Sequence, residues 1–189
     1  AILAANDQFA RDGLRVLAVA YRPLDSEHIG EDKWGMQTLE DNMVFLGLVA
    51  MSDPPRQGVR EAIEKCHRAS IRIIMVTGDY GLTALSIAKK IGIVQGDDAR
   101  VVSGLELAGM DDNQLKEALK GEIVFARVAP EHKVNIVKAW KSKNKIVAMT
   151  GDGVNDILAL READCSIVMA EGDPATRQIA NLVLLNSDF

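Results

Sequence analysis

Six apolar runs of strand length, separated by segments where apolar residues return every three or four positions, leave this chain few architectures. The runs are LRVLAVAY (14–21), MVFLGLVAM (43–51), IRIIMV (71–76), EIVFARV (122–128), KIVAM (145–149) and SIVMA (166–170). Several are unbroken and rich in Val and Ile, the pattern of strands covered on both faces. Between them, Val59, Ala62, Ile63 and Cys66 form one helical stripe, and Leu82, Leu85, Ala88 and Ile91 form another that Gly92 ends. Val134, Val137 and Trp140 make a third after Pro130, and Val154, Ile157 and Leu158 open a fourth. Strands alternating with single helices predict an α/β fold, with a doubly wound, mainly parallel sheet of Rossmann-like form. Residues 23–41 are polar without a period and read as a connection. Residues 95–121 interrupt the alternation, with a short helix expected at Asp112–Leu119.

A length of 189 residues fits one domain, or one domain and part of another. An apolar share of 48% beside 26% charged residues is that of a soluble globular chain. The run at 43–51 falls well short of the roughly 20 apolar residues that a membrane helix needs. The opening residues turn polar too soon for a signal peptide. A net charge of −5 argues against nucleic acid as a main partner. Cys66 and Cys165 stand far apart without metal-ligand spacing, so both are expected to be reduced, half-buried apolar residues. The chain opens on Ala1, which suggests a fragment or a processed start.

Parallel sheets bind ligands at the carboxyl ends of their strands. Three such ends carry matching chemistry here. IRIIMV is followed by Thr77-Gly78-Asp79, and EIVFARV by Pro130 and, in the next helix's first turn, Lys133. KIVAM is followed by Thr150-Gly151-Asp152-Gly153, then Asn155 and Asp156. A hydroxyl, a lysine and paired acids from three loops suit a phosphoryl group and its magnesium ion. Thr77 and the Gly78 amide can donate to phosphate oxygens, and Lys133 offers a compact charge. Asp152 can ligate Mg²⁺, which usually takes one or two carboxylates plus phosphate oxygens and water. Asn155 and Asp156 would fix that loop and a ligating water. Each feature alone also fits a turn, a helix cap or solvated surface. The joint order carries the weight, with GDGVND the most specific piece because its glycines let backbone approach a ligand.

MVTGD (75–79), FARVAPEHK (125–133) and TGDGVND (150–156), in this order, resemble the phosphorylation domain of P-type cation-transporting ATPases, a branch of the haloacid dehalogenase superfamily. LGLVAMSDPPR (46–56) and LRVLAVAYR (14–22) are similar to that family's hinge and to the end of its nucleotide-binding domain. The resemblance implies a division into residues 1–41, a nucleotide-binding remnant with its linker, and residues 42–189, a phosphorylation domain without its first strand. It implies Lys133, Thr77 and Asp156 as catalytic residues, and Asp152 with Asp156 as the acids of the magnesium site. Thr77, Gly78 and Lys133 would hold the aspartyl phosphate, with Asn155 supporting the metal loop. Asp79, Arg127 and Arg15 would lie along ATP, and Asp53 at the hinge. Asp53 before Pro54-Pro55 also reads, independently, as the cap of a helix start.

The family's nucleophile lies in Asp-Lys-Thr-Gly-Thr, which does not occur in this sequence. The chain is therefore expected to be a soluble cytoplasmic stretch of a membrane-embedded, ATP-driven pump that cannot form the phosphoenzyme alone. Its partners would be ATP, the rest of the pump and a transported cation, with DPPR pointing to calcium. Tyr80 after TGD, and Ile157-Leu158 after GDGVND, depart from the family's commoner residues. Two other readings stand beside this one: a non-catalytic Mg²⁺/nucleotide module, and a phosphatase of the same superfamily using Asp53. Magnesium-dependent hydrolysis of a generic phosphate ester, abolished by Asp53→Asn, would favour the last. Without a first strand, an uncovered sheet edge is expected to leave the chain marginally stable.

Overall fold

The computed structural model describes residues 1–23, 41–96 and 98–185, so the polar connection expected at 23–41 lies almost wholly outside the described residues. The chain opens with helix α1 (Ile2–Arg11) and strand β1 (Arg15–Tyr21), followed by β2 (Val44–Met51). β1 and β2 pair antiparallel, Arg15 opposite Met51 and Tyr21 opposite Val44, with a register irregularity between Val19 and Ala20. This ribbon leaves Leu17, Phe45, Leu46 and Val49 exposed.

Helix α2 (Val59–Arg68) begins after Gly58, which has φ +84°, and buries Ile63 from its predicted stripe. Asp53 caps no helix. Residues 52–58 precede that left-handed turn, so the helix starts beyond the Pro-Pro pair rather than on it. Strand β3 is only Met75–Val76, and α3 (Gly81–Ile91) ends on Gly92, whose φ of +85° is the left-handed cap that glycine adopts without strain. Then come β4 (Arg100–Ser103), α4 (Gly104–Ala108), α5 (Asp112–Ala118) and β5 (Ile123–Ala126). Helix α5 carries the capping box that its sequence encodes. The Asp111 side chain accepts from the Asn113 and Gln114 amides, while Gln114 reaches back to the Asp111 amide.

β3, β5 and β4 form a parallel sheet in that order, so β5 is central. All four β5 residues are buried, which explains the unbroken IVFA run. Ile123 and Phe125 face one core with Val102, Leu107, Leu119 and Ile136, while Val124 and Ala126 face the other with Ala84, Ala88 and Val94. The expected strand at 71–76 shrinks to two residues because β3 has β5 as its one ladder partner among the described residues, from Met75 onward.

Helix α6 (Pro130–Lys141) has proline in its first turn, where a missing amide hydrogen costs nothing. β6 (Ala148–Gly151), a 3₁₀ turn (Val154–Asp156), α7 (Ile157–Glu162), β7 (Cys165–Met169), α8 (Pro174–Ile179) and β8 (Leu182–Leu184) complete the described chain. The last three strands form a second parallel sheet, β6-β7-β8. The fourth predicted stripe is turned outward: Val154 and Leu158 are exposed, and Ala159 and Leu160 are buried instead. Asp156 takes the inner position because it has a charged partner there. Strands β4 and β8 lie outside the predicted runs.

Candidate phosphate and cation site

The loop after β3 is folded on itself. The Thr77 hydroxyl donates to Asp79 Oδ2 at 3.0 Å and accepts from the Asp79 amide at 3.1 Å. It is also stitched to the loop after β5: the Arg127 amide donates to the Asp79 carbonyl at 3.0 Å, and the Val128 amide to the Thr77 carbonyl at 3.1 Å. Arg127 itself sits in the left-handed region at φ +51°. That turn has a neighbour on its other side. A Cβ on Gly104 would stand 2.2 Å from the Arg127 carbonyl oxygen, so glycine is required there by close backbone approach.

One turn into α6, Lys133 Nζ donates to Asp156 Oδ1 at 2.6 Å, and the two side chains keep only 14% and 10% of their exposure. Asp156 belongs to the 3₁₀ turn after β6, so this pair ties the carboxyl end of one sheet to that of the other. A Cβ on Gly151 would lie 2.7 Å from the Asp156 Cβ, which is why glycine precedes Asp152. Asp152 and Asn155 are exposed at the same end. The Asp152 carbonyl accepts from the Asp173 amide at 2.8 Å, which anchors the loop from behind.

At Gly78 and Gly153 an added Cβ would meet nothing within 4 Å, and neither residue has a positive φ. The chain's own packing does not demand glycine there. Both positions leave open room beside the loops, as a ligand approaching the backbone needs. Among the described residues no three His, Cys, Asp or Glu side chains gather as a metal cage. The exposed Asp152 carboxylate therefore fits Mg²⁺ as one ligand among phosphate oxygens and waters, the mode this ion commonly takes. Asp156, bonded to Lys133, serves as that lysine's counter-charge in this structure.

Of the other residues singled out, Arg15 begins β1 on the antiparallel ribbon, away from the parallel strand ends. Its neighbour Leu14 offers its carbonyl to the Thr83 hydroxyl of α3 at 3.1 Å. Tyr80 escaped the sequence reading as a site residue. The Arg127 guanidinium lies 4.9 Å from the centre of its ring, and its hydroxyl donates to Asp7 Oδ1 at 3.0 Å. That bond to Asp7 holds the Tyr80 hydroxyl above the usual tyrosine range, with partial burial adding to it. Gly104 was also unremarked, although Ser103-Gly104 is a turn signal.

An open concavity of about 450 Å³ lies at the opposite, amino ends of β3 and β5, lined by His67, Arg72, Gln95, Lys120 and Glu122 among others. Its charges are already engaged. Arg72 donates to the Lys120 and Gly121 carbonyls, and Glu122 accepts from the Gln95 and Gly96 amides.

The sequence matches the description of the haloacid dehalogenase-like hydrolases over residues 8–164. With an α/β fold, parallel sheets and polar loops at their carboxyl ends, the chain belongs to that family. It is 42% identical over 189 residues to calcium-transporting ATPase 1 of Bacillus cereus, covering 100% of this chain and 21% of that protein. It is 41% identical over 184 residues to cation-transporting ATPase pma1 of Synechocystis, covering 97% of this chain and 20% of that protein. With P-type sodium-transporting ATPase4 of Toxoplasma gondii it shares 38% identity over 208 residues, 98% of this chain and 16% of that protein. The resemblance to P-type cation-transporting ATPases thus runs along the whole chain, which spans about a fifth of the length of these relatives.

Proposed function

We propose that this chain is a cytoplasmic stretch of a membrane-embedded, ATP-driven cation pump, and that its loops serve an aspartyl-phosphate intermediate. The observation that carries this reading is the Lys133–Asp156 pair. It brings a phosphate-binding lysine and the GDGVND loop together at the carboxyl ends of two separate parallel sheets. β3 and β6 are each an edge of their sheet among the described residues. A further parallel strand between them would complete one continuous sheet. Its carboxyl end would then emerge between Thr77 and Asp152, where a nucleophilic aspartate would meet the phosphoryl group. The Asp-Lys-Thr-Gly-Thr segment of the intact protein is assigned to that strand.

In this arrangement Thr77 and the Gly78 amide bind phosphoryl oxygens, and Lys133 neutralises their charge. Asp156 holds the lysine in place, and Asn155 steadies the loop. Asp152 would hold Mg²⁺, which supplies charge neutralisation at the transferring phosphoryl group when bound. Asp79 and Arg127 face the nucleotide, and Arg15 would join them. We place residues before the 52–58 loop, which includes Asp53, in the nucleotide-binding remnant, because β2 is paired to β1. The remainder is the phosphorylation domain. Two of the relatives quoted transport calcium or sodium by name, and the Asp53-Pro54-Pro55-Arg56 hinge favours Ca²⁺ here.

The test uses the full-length product of the gene. Incubated with γ-labelled ATP and Mg²⁺, it should acquire an acid-stable, hydroxylamine-sensitive label whose formation depends on Ca²⁺. Absence of label with every cation tried would overturn the reading.

A further inference from the structure

We propose that Tyr80 is a positioning residue. Its ring carries the Arg127 guanidinium, and its hydroxyl is anchored to Asp7 of α1, so that docking of α1 sets the direction of the arginine beside the Thr77–Asp79 loop. This rests on the reading above, in which Arg127 faces the nucleotide.

The Arg127 backbone is fixed by its amide bond to Asp79 and by the close approach of Gly104, but its side chain is exposed. A free arginine of this kind samples many rotamers, and each productive contact must overcome that freedom. The Tyr80 ring, 4.9 Å from the guanidinium carbon, narrows the choice. Tyr80 is itself restrained twice. Its backbone is the N-cap of α3, and its hydroxyl reaches Asp7 at 3.0 Å. Two further ties run from α3 to the end of α1 and the turn after it: the Thr83 hydroxyl to the Leu14 carbonyl, and Lys90 Nζ to the Asp12 carbonyl. Tyr80, Thr83 and Lys90 thus line α3 with bonds to the amino-terminal element. Tyrosine suits the first position because it offers both an aromatic face and a donor at its tip. Phenylalanine would keep the stack and lose the anchor, and leucine would lose both.

The experiment uses the 189-residue chain with two readouts: the Arg127 Hδ chemical shifts by NMR, and Mg·ADP affinity by calorimetry. The ring should shift the Hδ resonances upfield in the unaltered chain. Tyr80→Leu should remove the shift and weaken Mg·ADP binding about three- to fivefold, the range of an exposed cation–π contact. Adding Arg127→Ala to Tyr80→Leu should cost less than Arg127→Ala costs alone. Tyr80→Phe and Asp7→Ala should lose equally, and their combination no more than either, because both remove one bond. Full additivity of Tyr80→Leu with Arg127→Ala overturns the positioning role. Nucleotide binding without an upfield shift overturns this inference and leaves the nucleotide site standing. An upfield shift with no binding at all overturns the nucleotide reading and, with it, the role of Tyr80.

Discussion

Lys133 Nζ lies 2.6 Å from Asp156 Oδ1 across 23 residues of sequence, and this one bond joins the loops of two parallel sheets. Both groups are largely removed from water, so each needs the other. Removing one partner of a buried pair leaves an uncompensated charge and costs about 3–5 kcal/mol. Asp156→Asn keeps the volume and loses the charge. It is expected to lower stability by about 3 kcal/mol, at the smaller end of that range, because some exposure remains. Urea denaturation of the two proteins checks this, and a loss below about 0.5 kcal/mol would show the pair to be incidental.

The same lysine has a second expected effect in the full-length protein. A unit charge about 4 Å from a phosphoryl oxygen is worth up to about 4 kcal/mol at an effective dielectric near 20. Lys133→Ala should therefore slow phosphoryl transfer, by at most about a thousandfold. Rapid-quench measurement of phosphoenzyme formation gives the number, and a slowing under about threefold would remove the lysine from the reacting centre.

Gly104 supports the site without touching a ligand. A methyl group 2.2 Å from the Arg127 carbonyl oxygen cannot be accommodated unless the backbone moves. Gly104→Ala should cost about 1–3 kcal/mol, as forced overpacking commonly does, and disturb the Arg127 turn. Amide chemical-shift changes should centre on Asp79, Arg127 and Val128, which share that hydrogen-bonded junction. Changes confined to β4 would refute the connection.

These contacts show what a sequence can and cannot tell. Met75–Val76, Ile123–Ala126 and Cys165–Met169 fall within or beside runs that already read as buried strands, and Gly92 ends its helix as its position implies. Arg100–Ser103 and Leu182–Leu184 are short and lack a long apolar run, so their strand character comes from pairing with β5 and β7. Thr77, Lys133, Asp152 and Asp156 were legible as a set, because spacing after strands puts them at one sheet end. The bond between Lys133 and Asp156 was not, since it depends on how α6 meets the 3₁₀ turn. That contact also reversed the expected face of α7. Tyr80 looked like a departure with no role until Asp7, 73 residues earlier, was brought to its hydroxyl.

Tyr80 should also titrate abnormally. The bond to Asp7 favours the protonated hydroxyl, so its folded-state pKa lies above the ordinary tyrosine value near 10. A raised value means that this contribution to stability is complete below the unfolded-state pKa and is lost as pH rises through the folded one. Absorbance at the tyrosinate band should show two phases, from Tyr80 and from Tyr21, which has no printed bond of this kind. Asp7→Ala should bring the later phase down toward the earlier. Identical titrations in both proteins would mean that the hydroxyl does not hold Asp7 in solution.

The β1–β2 ribbon presents a different expectation, about order rather than chemistry. Two-stranded sheets are marginal in water, and here Leu17, Phe45, Leu46 and Val49 remain exposed, whereas every residue of β5 is buried. The strands should therefore open separately from the core. Amide hydrogen exchange is expected to be at least about a hundredfold faster in β1 and β2 than in β5, a difference of about 2.8 kcal/mol in opening free energy. The β3 and β6 edges should fall between them, each bonded on one side only among the described residues. Thermal unfolding would then be broad, because the ribbon melts ahead of the sheet around β5. Uniform protection with a single sharp transition would show instead that α1, through Tyr80, Thr83 and Lys90, couples the ribbon to the core strongly enough to make one cooperative unit.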